Sequence, residues 1–345
     1  MLTLHSITEE TKGILKWGVI IIGGFLLILI LFNIGKSIKE RLYPTPPPPP
    51  TVSFGKLPKT NFPKNATDEK LTYTLDTITG KLPVFSDRIN VYKIKPPEPN
   101  LLALQNAKEK MAKIGFVTEP TTITQTLFAW SDGKAKKLTF DIISFNFTLF
   151  YDFYSDLDVI KATSLPNENQ AIILATDFLS KISTLPSDID LSKTKTTLFS
   201  IKKGSLVETS SLSTAQIIRV DLFQKDIDSL KIFYPDFPQS SMYFLIGGGG
   251  FEGKVVGGNF FHQNLDENPA TYPIKTADEA FLELKNGKGF IQGYYSDNTE
   301  VSIKNVYLAY YLSNQEQNYI VPVIVFEGKN GFLAFVEAVK NEWLE

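Results

Sequence analysis

The sequence predicts an α+β fold: an N-terminal transmembrane helix, a proline-rich stalk, and tandem units that each combine one helix with an antiparallel sheet. Three observations predict it: an uncharged apolar run near the N-terminus, a run of prolines behind it, and three helical segments that each precede strand-like segments. The expected parts are a short N-terminal segment with the transmembrane helix (1–43), the stalk (44–66), a first α+β lobe (67–165) and a second α+β lobe (166–345).

The transmembrane helix is expected at about residues 14–34. Residues 17–34 read WGVIIIGGFLLILILFNI, an uncharged run that is long enough to span a bilayer as a helix. A cleaved signal peptide would have a shorter apolar region and a small-residue cleavage site, so we expect an uncleaved signal anchor. The predicted location is therefore the cell membrane, crossed once.

The prolines at residues 44–50 predict a stiff polyproline spacer between the bilayer and the body. A spacer of this kind favours a body on the extracytoplasmic side. The alternatives are a plain linker, or a ligand for a proline-binding domain on the cytoplasmic side.

Three helices and two hairpins are predicted in the body. Two helices follow from apolar stripes, and a capping box formed by Thr276 and Glu279 predicts the start of the third. Hairpin turns are expected at Asp132–Gly133 and near Asn330–Gly331. The stripes comprise Leu104, Ala107, Met111 and Ile114 in the first helix, and Ala171, Ala175, Phe178 and Ile182 in the second.

The composition excludes several kinds of chemistry. The chain has no cysteine, which excludes disulfides, thiolate catalysis and cysteine-ligated zinc. Its two histidines, His5 and His262, lie at opposite ends of the chain, so a histidine-based site would depend on His262 alone. A net charge of −2 argues against a broad nucleic-acid surface. We therefore expect no catalytic residues, no metal site, no cofactor and no nucleic-acid partner.

The glycine run FLIGGGGFEGKVVGG contains a bare G-x-G-x-x-G at Gly248, Gly250 and Gly253. A dinucleotide site needs a helix directly behind such glycines, and the following KVVGGNFF cannot start one. The run therefore predicts a hairpin or bulge in a sheet, without a bound nucleotide.

Two aromatic segments supply a candidate contact surface. In SFNFTLFYDFYSDLD, residues 144–158, strict alternation places Phe147 and Tyr151 on one face of a strand and Phe150 on the other. Such a strand is either a platform for a sugar or peptide, or a strand buried on both sides. The candidate residues are Phe147, Tyr151 and Tyr154, together with Tyr234, Phe237 and Tyr243 around the loop YPDFPQSSMY.

The C-terminal part of the chain resembles YycH/YycI-type proteins, which are built from PepSY-like units. The residues that carry the resemblance are the helix start Thr276–Ala280, the aromatic strand Val306–Tyr311 and the strand Val321–Gly328. The resemblance is clearest over residues 272–339. It implies a single-pass extracytoplasmic protein without catalysis, whose best-known relatives regulate a cell-wall sensor kinase. The proline stalk departs from that pattern and argues against regulation of a kinase.

The sequence therefore predicts a non-catalytic, membrane-anchored binding or regulatory module that acts on a membrane or envelope protein. One alternative is a binder of cell-wall carbohydrate or peptidoglycan, with Phe147, Tyr151 and Tyr154 as stacking residues. Another is a hydrolase whose acidic residues are distant in sequence, since paired carboxylates follow no spacing rule.

Overall fold

The computed structural model describes residues 17–18, 23–36, 39, 48–162, 165–248, 253–296 and 298–345. The chain divides into two compact units, Met1–Pro49 and Pro50–Glu345. In the first unit, residues 23–36 form a helix, α1, whose apolar side chains are exposed. All strands of the described residues belong to the second unit.

The prediction of a transmembrane helix is wrong. Among the described residues, no helix is both long enough and apolar enough to cross a bilayer. Residues 14–16 and 19–22 of the predicted span lie outside the described residues. The single-pass membrane location, the signal anchor and the extracytoplasmic body are inferences from that helix and are corrected with it.

Part of the predicted stalk packs on the folded unit. Residues 44–47 lie outside the described part of the chain. Leu57 is fully buried and forms a parallel bridge with Leu344. The N–H of Ala66 donates to the carbonyl of Ile291 at 2.8 Å. These stalk residues therefore cover the edge of a sheet, because their apolar side chains and backbone groups find partners there.

Seventeen strands and four further helices make up the regular structure of the second unit, as far as it is described. The helices are α2 (Ala103–Lys113), α3 (Leu157–Ile160), α4 (Glu168–Ile182) and α5 (Ala277–Lys285). The strands are β1 (Thr72–Leu75), β2 (Arg88–Lys93), β3 (Thr121–Thr122), β4 (Leu127–Ser131), β5 (Lys136–Asp141), β6 (Phe147–Tyr151), β7 (Lys195–Lys202), β8 (Ser205–Glu208), β9 (Ile217–Leu222), β10 (Ile232–Phe233), β11 (Met242–Gly247), β12 (Lys254–Phe260), β13 (Ala270–Pro273), β14 (Phe290–Gly293), β15 (Glu300–Tyr311), β16 (Tyr319–Gly328) and β17 (Leu333–Glu337).

A nine-stranded antiparallel sheet forms one layer. Its strand order is β3-β4-β5-β6-β12-β11-β9-β7-β8. Helix α4 packs across β9, β11 and β12, and α2 packs on α4. The face of the sheet that meets these helices carries alternate apolar residues such as Val220, Phe244 and Ile246, each fully buried.

An eight-stranded sheet forms the second layer. Its main path is β1-β15-β16-β17-β14, while β10 also pairs with β15, and β2 pairs with β13 and β16. Strands β1 and β10 run parallel to β15, and the β15–β16–β17 meander is antiparallel. Helix α5 packs on β17, burying Ala280 and Leu284.

The three predicted helices and both predicted hairpins are found. Asn167 and Thr276 each accept a hydrogen bond from the backbone of the third helical residue and complete capping boxes at α4 and α5. Strands β4 and β5 pair across Asp132–Gly133, and β16 and β17 pair across Asn330–Gly331. Asn330 and Gly331 have φ of 55° and 67°, the left-handed conformation that a tight hairpin turn requires.

The predicted fold class is nevertheless wrong. Strands dominate the described residues, in two large sheets, and the N-terminal transmembrane element is not found there. Strands such as β3 and β10 have two residues each, which is too short for alternation of side chains to reveal them in a sequence.

The two predicted lobes share the nine-stranded sheet. Strand β6 of the first lobe pairs with β12 of the second, through Phe147 and Phe260 among other residues. Residues 50–345 accordingly form one compact unit.

Candidate functional site

Phe147 is a core residue, which corrects its place in the predicted contact surface. Its side chain is 4% exposed. Its ring centroid lies 5.8 to 6.5 Å from those of Phe140, Phe178, Phe244 and Phe260. Because Phe178 belongs to α4, the ring of Phe147 points toward the helices and is not available to a partner.

Tyr234 is also buried, so its assignment to the contact surface is wrong. It is 0% exposed, and its hydroxyl accepts a hydrogen bond from the backbone N–H of Gln224 at 3.2 Å. Burial raises the pKa of Tyr234. Phe237, three residues on, is half-buried with its ring centroid 4.7 Å from that of Phe233. The loop after β10 therefore closes over the second sheet with its aromatic side chains turned inward.

Tyr243 lies on the opposite face of β11 from the helices and is half-buried. The guanidinium carbon of Arg219 lies 3.7 Å from its ring centroid, and the same guanidinium donates to Asp221 at 2.9 and 3.0 Å. Asp221 is 2% exposed. The Arg219–Asp221 pair occupies one side of the Tyr243 ring and joins β9 to β11.

Tyr151 and Tyr154 are the two predicted residues that the structure brings together on an accessible surface. Tyr151 packs against a small apolar cluster that contains Phe153, and the ring centroid of Tyr154 lies 4.4 Å from that of Phe153. Tyr154 is 38% exposed, whereas Phe150, 58% exposed, belongs to the opposite face of β6 from Tyr151. We define the Tyr151 patch as Lys136, Tyr151, Tyr154, Asp156 and Lys254.

Hydrogen bonds fix the polar part of the Tyr151 patch. The Tyr151 hydroxyl and the Lys254 ammonium both donate to Oδ2 of Asp156, the latter at 2.6 Å. Lys254, and then Tyr151, hold the pKa of Asp156 at about 2. The hydrogen bond to Asp156, and then burial, raise the pKa of Tyr151 to about 12. At neutral pH the patch therefore carries an ionised Asp156–Lys254 pair and a neutral tyrosine.

Lysines also lie on the Tyr151 ring. Nζ of Lys136 and Nζ of Lys254 are each 5.5 Å from the ring centroid. Lys254 has its counter-ion in Asp156, whereas Lys136 has no ion-pair partner within the described residues. Lys136, whose charge interacts with the Asp132 carboxylate beyond ion-pair distance, therefore accompanies the exposed Tyr154.

A partly buried polar network around His262 is the feature that sequence reasoning missed. Nε2 of His262 lies 2.8 Å from Oδ1 of Asp188, and Nε2 of Gln224 donates to Oδ2 of the same carboxylate at 2.7 Å. Burial acts to raise the pKa of Asp188, but the hydrogen bonds from His262 and Gln224 outweigh it and hold that pKa below its usual value. The sequence suggests only the neighbouring Asp266 and Glu267 as partners, because no spacing rule joins residues 188 and 262.

The geometry of His262 is that of a structural residue. Its side chain is 5% exposed, and its ring is stacked 6.0 Å from Phe260. Its backbone N–H donates to Oδ1 of Asn146 at 2.9 Å. A histidine–aspartate pair can act as a general base where the imidazole reaches a substrate. Here the pair joins the loops that carry residues 146, 188 and 262.

The glycine run connects two paired strands. Strands β11 and β12 are antiparallel, and Gly253, with φ of 74°, directly precedes β12. Residues 249–252 lie outside the described part of the chain. A strand thus occupies the position that a phosphate-binding helix would need, as the sequence predicts for this segment.

A cavity of about 420 Å³ opens beside α5. At its base the buried Lys275 donates to Glu283 at 2.8 Å and to the carbonyl of Glu337 at 3.0 Å. Asn341 donates to the second oxygen of Glu283. These groups satisfy one another, and no cluster of metal-ligating side chains occurs among the residues described.

Comparisons with known proteins give little further information. No family model matches the chain, and no curated protein matches it. A similar solved structure is the crystal structure of an uncharacterized protein from Eubacterium rectale ATCC 33656, with 13% sequence identity and a TM-score of 0.41. The match covers 81% of this chain and 92% of that chain. A similarity at this level supports no conclusion about function.

Proposed function

We propose that the chain is a non-catalytic binding module that acts on another protein through the Tyr151 patch. The observation that carries the proposal is the exposed Tyr154 against Phe153 and Tyr151, the latter ring lying 5.5 Å from Nζ of Lys136, a lysine that forms no ion pair among the described residues. Aromatic side chains supply much of the binding energy at protein interfaces. The unpaired lysine favours a partner surface with carboxylates.

The lysines on Tyr151 favour a protein over a glycan as the partner. Sugar stacking uses a free aromatic face, and the ammonium groups of Lys136 and Lys254 both lie within 6 Å of this ring. A carboxylate on a protein surface meets Lys136 without displacing either lysine from the ring.

Two further observations support a binding role without catalysis. The single histidine of the folded unit is stacked on Phe260 and hydrogen-bonded to Asp188. The resemblance of residues 272–339 to YycH/YycI-type proteins, which implies a regulatory and non-catalytic protein, stays a prediction and points the same way.

Site-specific photo-crosslinking in the native cells tests the proposal. A photo-reactive phenylalanine analogue replaces Tyr154, which is 38% exposed, and in a matched control it replaces Val207, which is 40% exposed on β8 at the far edge of the same sheet. We expect a discrete protein adduct from position 154 and none from position 207, with the yield falling as salt is added. A glycan adduct would replace the proposal with the carbohydrate alternative. No adduct at 154, or equal adducts at both positions, would contradict it.

A further inference from the structure

Strands β1 and β10 pair with the same edge of β15 and leave a gap between them. The pairing with β1 ends at Leu75 and Ile303, and the pairing with β10 begins at Ile232 and Tyr310. The opposite edge of β15 pairs with β16 over nearly its whole length. Residues 304–309 therefore form an open stretch of about 20 Å on this edge.

The gap presents unpaired backbone groups. The N–H groups of Tyr310 and Leu312 donate toward the β10 side, to Lys231 and Phe233. Alternation along the strand then turns the N–H and C=O of Val306 and Leu308 to the same edge. No hydrogen bond joins these groups to any other part of the chain that the structure describes. The edge is thus a template for one more short strand.

The side chains around the gap combine apolar surface with positive charge. Leu75, Leu230 and Leu308 are half-buried along it. At the β1 end, the ammonium groups of Lys304 and Lys329 share the single carboxylate of Asp76. These three side chains therefore carry a net charge of about +1.

Charge at the β10 end is mixed. Lys231 is exposed and has no ion-pair partner among the residues described. Asp228 is also exposed, and its carboxylate accepts hydrogen bonds from Tyr92 and Asn90 at 2.9 Å. Glu327, on the β16 side of β15, accepts hydrogen bonds from Asn305 and Tyr307. At the two ends of the open edge, three lysines thus face the two carboxylates of Asp76 and Asp228.

We infer that this edge of β15 binds an extended acidic segment of a partner protein, which adds as a strand between β1 and β10. The backbone of Val306 and Leu308 supplies the main-chain hydrogen bonds, as in other complexes formed by strand addition. The half-buried leucines accept apolar side chains, and Lys304, Lys329 and Lys231 attract carboxylates near the ends. The inference is independent of the Tyr151 patch, which belongs to the other sheet.

Two pools of synthetic hexapeptides test the inference. One pool has glutamate at both ends, the other has lysine at both ends, and the four inner positions are random. The full chain is immobilised, and captured peptides are identified by mass spectrometry. We expect the glutamate pool to be captured at least tenfold better, and the bound peptide to protect the amides of Val306 and Leu308 from hydrogen exchange.

A chemical control removes the hydrogen bonds without changing the protein. The captured peptide is resynthesised with methyl groups on alternate backbone nitrogens, once for each of the two registers. One of the two forms should lose at least tenfold in affinity. Lys329→Glu should weaken the unmodified peptide about two- to fivefold, whereas Lys136→Glu in the Tyr151 patch should leave it unchanged.

Three results would overturn the inference: no preference for the glutamate pool, full affinity in both methylated forms, or binding that leaves the Val306 and Leu308 amides unprotected. Retained peptide binding together with failed crosslinking at residue 154 would contradict the proposed function alone.

Discussion

Phe147 and Phe150 lie three positions apart on β6, and one is buried whereas the other is exposed. Phe147 packs among four other aromatic rings, whereas Phe150 is 58% exposed beside Lys137 of β5. Strand alternation predicts that they face opposite sides, and this is confirmed. Which side meets the helices depends on distant residues such as Phe178, so the sequence alone could not assign the exposed face.

Alanine substitutions should separate these two phenylalanines. Phe147→Ala should lower the free energy of unfolding by about 3 to 5 kcal/mol, because it leaves a cavity in the aromatic core. Phe150→Ala should cost less than about 1 kcal/mol. Urea denaturation of both variants checks this, and similar losses would contradict the placement of β6.

Lys254→Gln tests the ion pair of the Tyr151 patch. The folded-state pKa of Asp156 is about 2, below its ordinary value of 3.8, so its ionisation stabilises the fold above about pH 4, and this stabilisation is lost as the pH falls toward 2. The variant should lose about 1 kcal/mol of unfolding free energy at pH 7, since the partly exposed pair is screened by solvent. The difference from wild type should shrink between pH 4 and pH 2.

Lys137→Gln is the matched control for this experiment. It removes an exposed lysine of β5, a strand of the same sheet, and should change the unfolding free energy little at either pH. If the unfolding free energy of Lys254→Gln stayed below that of wild type by the same amount from pH 7 down to pH 2, the destabilisation would arise from lost packing and not from the ion pair with Asp156.

Among the elements, the helices were the most predictable from sequence, because their signals are local. Asn167 and Thr276 form their capping boxes with residues three positions away. The pairing of β6 with β12 joins residues more than 100 positions apart, and no local pattern encodes it. The contact of His262 with Asp188 escaped prediction for the same reason.

Adjacent glycines in β12 test how closely the strands approach one another. A Cβ on Gly258 would lie 2.8 Å from the carbonyl oxygen of Tyr243, whereas the nearest atom to a Cβ on Gly257 would be the flexible end of Leu245 at 3.3 Å. Gly258→Ala should therefore cost about 2 kcal/mol of unfolding free energy. Gly257→Ala should stay within about 0.5 kcal/mol of wild type. Thermal or urea unfolding compares them, and equal effects would contradict this register.

For the whole molecule, the division into two lobes at residue 165 does not match the sheet pairings. Strands β1 and β2 pair with strands from beyond residue 265, and β6 pairs with β12. A fragment of residues 67–165 should therefore not fold alone, while residues 50–345 should fold. Circular dichroism and amide chemical-shift dispersion measure this, and cooperative unfolding of the short fragment would contradict the shared sheet.

The central claim is that the Tyr151 patch binds a protein through aromatic side chains and an unpaired lysine. Its most direct test is the yield of the crosslinked adduct from position 154 in a protein that also carries Lys136→Glu. Lys202→Glu on β7, next to the far edge strand of the sheet, is the control. The account predicts a yield lowered roughly five- to tenfold by Lys136→Glu and unchanged by Lys202→Glu. An equal yield in both variants would contradict it.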